Sequence, residues 1–200
     1  MIHALPGMGA DHRMFPAPWT TLPDFMAHDW PRHRGESSLA EVARTIIDAY
    51  SIQDGDSLIG ASLGGMVACE IAKLRRLRTL ILIGSATHKA EINPLLACLH
   101  PLANVAPFDW LRFSASKIPA ELAQMFAGAE QSFIRAMCAA IFQWEGLGKT
   151  PVQCLRIHGR YDLVIPPPAQ ADLLLNAGHL PSITHTRECV AFTAAQMHAR

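Results

Sequence analysis

Ser57-Leu58-Ile59-Gly60-Ala61-Ser62-Leu63-Gly64-Gly65-Met66 is the stretch on which the fold turns. Ser57–Ala61 reads as a strand, and Leu63–Leu74 as a helix with Met66, Val67, Ile71 and Leu74 apolar. Between them stands one serine, with Gly60 before it and Gly64 and Gly65 after it. A chain that passes from strand to helix in so few residues pushes the residue at the corner out above the sheet. Glycines on either side let the two backbones crowd together with no Cβ in the way. The helix that opens there aims its free amides and positive end at the serine, where an oxyanion would form. A glycine-rich turn with a serine helix cap would look similar as a string. The strand–turn–helix setting favours Ser62 as a nucleophile.

Outward from this turn, apolar runs alternate with helical patterns. Ile2–Leu5 and Phe25–Trp30 read as strands before it; Thr79–Ile83, Val152–His158 and Asp172–Asn176 read as strands after it. Ser38 and Glu41 form a capping box that opens a helix carrying Val42, Ile46 and Ala49 on one face, and Glu188–His198 reads as a closing helix. Strands separated by helices imply an α/β fold: a mostly parallel sheet of about six strands, covered on both faces. Ligands in such sheets sit beyond the carboxyl ends of the strands. Between Gly84 and Pro151 no strand signal occurs. Segments around Ile92–Leu102, Phe108–Ser116, Ala120–Phe126 and Gln131–Trp144 read as consecutive helices, cornered by Pro94, Pro107, Pro119 and Gly128. This is expected to be a helical insertion, about residues 85–150, within one domain spanning 1–200.

Three further segments follow strands and carry chemistry. Leu5-Pro6-Gly7-Met8-Gly9 lets a main-chain amide point into the site, so that Met8 N–H would pair with Leu63 N–H around an oxyanion. His158-Gly159-Arg160-Tyr161-Asp162 places an aspartate four residues past a strand end, within reach of an imidazole whose tautomer it would hold. Asn176-Ala177-Gly178-His179-Leu180-Pro181 offers a histidine on a loop after a short strand, as general base. His185 is its rival, Glu91 is an alternative acid, and His158 reads as structural. The order Ser62, Asp162, His179 is one of the known orders for a serine–histidine–acid triad.

Composition excludes other classes. Half of the 200 residues are apolar, and 17 basic residues balance 17 acidic ones, so no basic excess suggests nucleic acid. Lys73 to Arg78 is a short basic run at a helix end, where it favours the helix dipole. The five cysteines, Cys69, Cys98, Cys138, Cys154 and Cys189, have no metal-ligand spacing and read as buried thiols of a reducing compartment. No metal is expected. Nor is a membrane span, since no run of about 18 apolar residues occurs. The N-terminal Met-Ile-His-Ala-Leu-Pro-Gly lacks a signal-peptide pattern, and a cytoplasmic enzyme is the expectation.

The chain resembles the α/β-hydrolase superfamily, and within it the small lidded esterase-like branch. Pro6–Gly9, Gly60–Gly65, His158–Pro166 and Gly178–Pro181 match that family's oxyanion loop, nucleophile elbow, acid loop and histidine loop in order. The similarity spans nearly the whole chain and is weakest in the insertion. It implies a small carboxylic ester or related acyl substrate, no cofactor, and an insertion that serves as lid. An acyltransferase, thioesterase or lyase on the same triad, and a binding protein without turnover, share these features. Three departures mark a trimmed version. Pro6-Gly7 stands where the family has His-Gly, and the first two strands of the full sheet are missing. About ten residues join Asp162 to the next strand, too few for a crossover helix. The exposed sheet edge calls for a covering loop or a partner, as in a homo-oligomer.

Overall fold

Six short strands pair side by side, all parallel, in a computed structural model that describes residues 1–93, 128 and 130–198. They are β1 (Ile2–Leu5), β2 (Phe25–Ala27), β3 (Ser57–Ala61), β4 (Thr79–Ile83), β5 (Cys154–Gly159) and β6 (Leu173–Leu175), in the order β2-β1-β3-β4-β5-β6. The chain adds β2 on one side of β1, then returns to build β3 to β6 on the other. The order therefore reverses between β1 and β3. A crevice opens there at the carboxyl ends, because successive connections leave on opposite faces.

Every residue of β3 and β4 is buried, as expected of strands covered on both faces. Alternation sorts their side chains into two cores. Leu58, Leu80 and Leu82 face α1 (Leu39–Tyr50), α2 (Leu63–Leu74) and α3 (Gln131–Gln143), meeting Val42, Ile46, Val67, Ile71 and Met137. Ile59, Ile81 and Ile83 face the other way. They pack with Trp19, Leu155 and Ile157, and with Cys189 and Val190 of α5 (Thr186–His198).

The capping box forms as expected: Ser38 Oγ accepts from Glu41 N at 3.2 Å and the Glu41 carboxylate accepts from Ser38 N at 3.1 Å. Helix α2 lies between α1 and the sheet, so Leu63 to Ala72 are all buried. Its one acidic residue, Glu70, is satisfied there by Trp144 Nε1 at 2.7 Å and by Lys73. Trp144 directly follows α3, so this bond ties the end of the insertion to α2.

Several expected boundaries shift. β2 ends at Ala27 rather than Trp30, releasing His28, Asp29 and Trp30 into a loop. β5 begins at Cys154 rather than Val152, and the last strand contracts to Leu173–Leu175. The closing helix begins at Thr186, behind an extra turn of helix, α4 (Pro181–Thr184), opened by a proline at its first position. Residues 160–172 contain no helix, as the short spacing requires. Of the four helical segments expected in the insertion, the last forms as α3. Ile92, expected to start the first, is extended instead (φ −85°, ψ 135°). Residues 94–102, Phe108–Ser116 and Ala120–Phe126 lie outside the described residues. Among the described residues no helix is long and apolar enough to cross a membrane. Cys69 and Cys189 are buried free thiols, Cys138 and Cys154 are half-buried, and burial pushes Cys154 and Cys189 up to about 11 and about 12.

Candidate active site

The turn after β3 is as sharp as its sequence implies. Ser62 sits at φ 51° and ψ −120°, a conformation that costs a non-glycine residue about 1–3 kcal/mol. Its neighbours hold it there. Ser62 N donates to Ile83 O at 3.0 Å, and Ser62 O accepts from Gly65 N at 3.0 Å and from Ser85 Oγ at 2.6 Å. Two of the glycines are required by close approach. A Cβ on Gly60 would stand 2.4 Å from Gly65 Cα, and one on Gly64 would stand 2.3 Å from the Leu5 carbonyl oxygen. The second contact presses the start of α2 against the end of β1, so the two loops at the crevice share one floor. Ser62 itself stays half-buried.

Asp162 and His179 reach this serine from β5 and β6. Asp162 is 3% exposed, and its Oδ1 accepts from Val164 N at 2.9 Å and Ile165 N at 3.0 Å. Its Oδ2 lies 2.9 Å from His179 Nδ1, and His179 Nε2 lies 2.9 Å from Ser62 Oγ. A carboxylate with amides on one oxygen is an acceptor at the other. The proton between them therefore belongs on His179 Nδ1, and Nε2 presents its lone pair to the Ser62 hydroxyl. The histidine loop is pressed onto the sheet ends at two points. A Cβ on Gly84 (φ 52°) would meet the His179 carbonyl oxygen at 2.7 Å, and one on Gly159 would meet the Gly178 carbonyl oxygen at 2.1 Å.

His158 takes the structural place read for it. Fully buried, it lies 3.1 Å through Nε2 from Ile165 O and 4.0 Å from Asp162 Oδ2, and burial lowers its pKa, favouring the neutral ring. His185 caps the end of α4, with Nδ1 3.0 Å from Thr184 Oγ1. Glu91 is engaged by Thr87 and Arg156. Burial works to raise its carboxyl, but the hydrogen bonds from these two residues outweigh it and hold it below the usual range.

The other half of the crevice is the loop after β1. Ala10 N donates to Gly7 O at 3.1 Å and Gly9 has φ 71°, so Gly7 to Ala10 form a tight turn. Gly7 lies beside the nucleophile position: a Cβ on it would be 3.4 Å from Ser62 Cβ. The Leu63 amide, first in α2, has no intrahelical acceptor, and neither it nor the Met8 amide is bonded to another described residue. Three contributors escaped the sequence reading. Met14 Sδ accepts from Gly7 N at 3.0 Å, Trp30 Nε1 donates to Gly7 O at 2.9 Å, and Ser85 holds Ser62 as above. None stands in a motif; Trp30 was read as the end of a strand. Among the described residues, Asp11, His12 and Asp29 bring ligand-type atoms within 4.8 Å of one another. Asp11, however, is already gripped by the Arg13 guanidinium at 2.6 and 3.0 Å.

The model of the "Alpha/beta hydrolase family" matches residues 2–192. No curated protein matches the sequence. Solved structures share the fold at low identity. A hydrolase from Oleispira antarctica aligns with a TM-score of 0.80 at 14% identity, covering 100% of this chain and 91% of its own. A thermophilic esterase from Thermogutta terrifontis aligns with a TM-score of 0.78 at 16% identity over 99% of this chain and 89% of its own. An esterase from Exiguobacterium antarcticum gives 0.78 at 17% identity over 98% and 90%.

Proposed function

The chain belongs to the alpha/beta hydrolase family, and on that premise we propose that it is a serine hydrolase cleaving a small carboxylic ester or related acyl substrate. One observation carries the reading: His179 stands between Ser62 Oγ and Asp162 Oδ2 at 2.9 Å on either side, the placement a general base needs. His179 Nε2 takes the hydroxyl proton as Ser62 Oγ attacks the carbonyl carbon. The oxyanion is received by the amides of Met8 and Leu63. His179 returns the proton to the leaving alcohol, the acyl group stays on Ser62, and water activated by the same imidazole releases it. Asp162 stabilises the imidazolium of each step. No step calls on a cofactor or metal.

Residues 85–150 are read as the lid over the acyl site. Helix α3 supports this, because it packs on the oxyanion side of the crevice: Cys138 Sγ lies 3.7 Å from Met8 Sδ, and the Phe133 ring lies 5.0 Å from that of Trp30. These apolar groups suit a hydrophobic acyl part. The test is covalent. A fluorophosphonate is expected to label Ser62, located by peptide mass, and Ser62→Ala to lose both the label and turnover of activated esters of graded chain length. An alanine variant that labels like the parent removes Ser62 from the role.

A further inference from the structure

Catalysis through an oxyanion hole needs an amide that points at the reacting carbonyl before substrate arrives, and a loop amide keeps no direction unless its peptide plane is held. Met8 N–H and Gly7 C=O belong to one peptide bond. In a trans peptide they point in opposite directions, so whatever holds the Gly7 carbonyl aims the Met8 amide. The Gly7 carbonyl accepts from Ala10 N at 3.1 Å, within the turn, and from Trp30 Nε1 at 2.9 Å, across from the loop after β2. Both lone pairs are thereby used. The preceding amide, Gly7 N–H, is held by Met14 Sδ at 3.0 Å. Trp30 is itself placed by Phe133 of α3, whose buried ring lies 5.0 Å away at an interplanar angle of 41°.

We propose that Trp30 is a positioning residue for the oxyanion amide: its indole N–H holds the Gly7 carbonyl, and through the shared peptide plane it directs Met8 N–H towards the space above Ser62. The inference rests on the serine-hydrolase reading. It adds a chain of contact from the insertion, through Phe133 and Trp30, to the oxyanion loop, so that displacing α3 loosens the amide. The indole touches neither substrate nor the reacting atoms; its action passes entirely through Gly7.

The experiment replaces one atom group. Benzothienylalanine, site-specifically incorporated at position 30, puts sulfur where the indole has N–H and keeps the shape. On an activated ester, kcat is expected to fall about tenfold, since the amide is misdirected rather than deleted, with KM within about twofold and an unchanged melting temperature. The decisive readout is the turnover ratio between an oxo-ester and its thiono-ester, in which the carbonyl oxygen is sulfur. A well-aimed oxyanion hole favours oxygen, so the ratio is expected to shrink in the variant; damage of another kind lowers both rates and leaves it alone. An unchanged kcat, or a loss of kcat at constant ratio, overturns the proposal. Trp30→Phe, which keeps an aromatic ring against Phe133, must show the same smaller ratio, and a normal ratio there overturns it equally. If the parent enzyme shows no Ser62-dependent turnover at all, the serine-hydrolase reading fails instead, which separates the two failures.

Discussion

Two buried histidines each have a carboxylate beside one ring nitrogen and make different use of it. His179 has a carboxylate on Nδ1 and a hydroxyl on Nε2. His3, on β1, has His28 Nε2 at 2.8 Å from Nδ1 and Asp56 Oδ2 at 3.3 Å from Nε2, the latter without hydrogen-bond alignment. Burial does not separate them: His3, His28 and His179 are 1%, 4% and 6% exposed. What separates them is their partners. His3 faces another imidazole, and His28 is stacked against Tyr50 with ring centroids 3.8 Å apart, so neither ring is paired with a serine hydroxyl. His179 faces a half-buried hydroxyl at the carboxyl end of the sheet, where a substrate can enter. A histidine–carboxylate pair acquires chemistry from the nucleophile and the opening beside it.

The largest expected effect tests that contrast directly. His179→Ala is expected to lower turnover of an activated ester by about a million-fold, as when a triad member is removed, while His185→Ala keeps most of the activity. Steady-state kinetics on the two purified variants decide it. A dead His185→Ala with an active His179→Ala would move the base six residues along the chain.

Asp162→Asn comes next. The asparagine oxygen can still accept from the amides of Val164 and Ile165, so the acid loop is expected to keep its shape by circular dichroism. Nδ1 loses its carboxylate, the tautomer is no longer enforced, and kcat is expected to fall about ten-thousand-fold. Near-normal activity would pass the role to another acid, and the contacts of Glu91 with Thr87 and Arg156 make it a poor substitute.

The smallest effect belongs to the pair His3 and His28 and is read in stability. Burial, and then the neighbouring His3, lower the pKa of His28 to about 4; burial lowers that of His3, against the pull of Asp56. Between the unfolded value of 6.5 and about 4, the unfolded chain takes up a proton that folded His28 refuses. Stability from this site is therefore complete above that window and declines as pH falls through it, by up to about 3 kcal/mol. Urea titrations from pH 7 to pH 4 measure the slope. His28→Phe keeps a ring for Tyr50 to stack on and removes the titrating group. It is expected to flatten the slope, to cost about 1–2 kcal/mol at pH 7 by leaving His3 Nδ1 unpaired, and to leave kcat unchanged. A slope that persists in the variant assigns the acid sensitivity elsewhere.

Legibility followed the range of the forces involved. The nucleophile turn could be read because its demands are local. Gly60, Ser62 and Gly64 are set by a corner that two residues on either side must accommodate, and periodicity announced the strand and helix that meet there. The capping box at Ser38 and Glu41 was legible for the same reason. β2 ends at Ala27, short of Trp30: after His28 N donates to Ala4 O at 2.9 Å the chain leaves β1, and Trp30 Nε1 turns to the Gly7 carbonyl, a long-range contact that no local pattern announces.

The amino-acid sequence by itself determined the alternation of strands and helices, the sharp turn at Ser62, and the candidates Asp162 and His179 in their order. Each depends on neighbours in the chain, where patterning and φ/ψ limits act. Only the tertiary structure decided that His179 and not His185 meets Ser62, that Gly84 and Gly159 let the histidine loop settle onto the sheet, and that Ser85 and Trp30 hold the two halves of the crevice. Those contacts join residues 19 to 117 positions apart. No local preference encodes such a distance; it is fixed when six strands stack in one order and bring their carboxyl ends together.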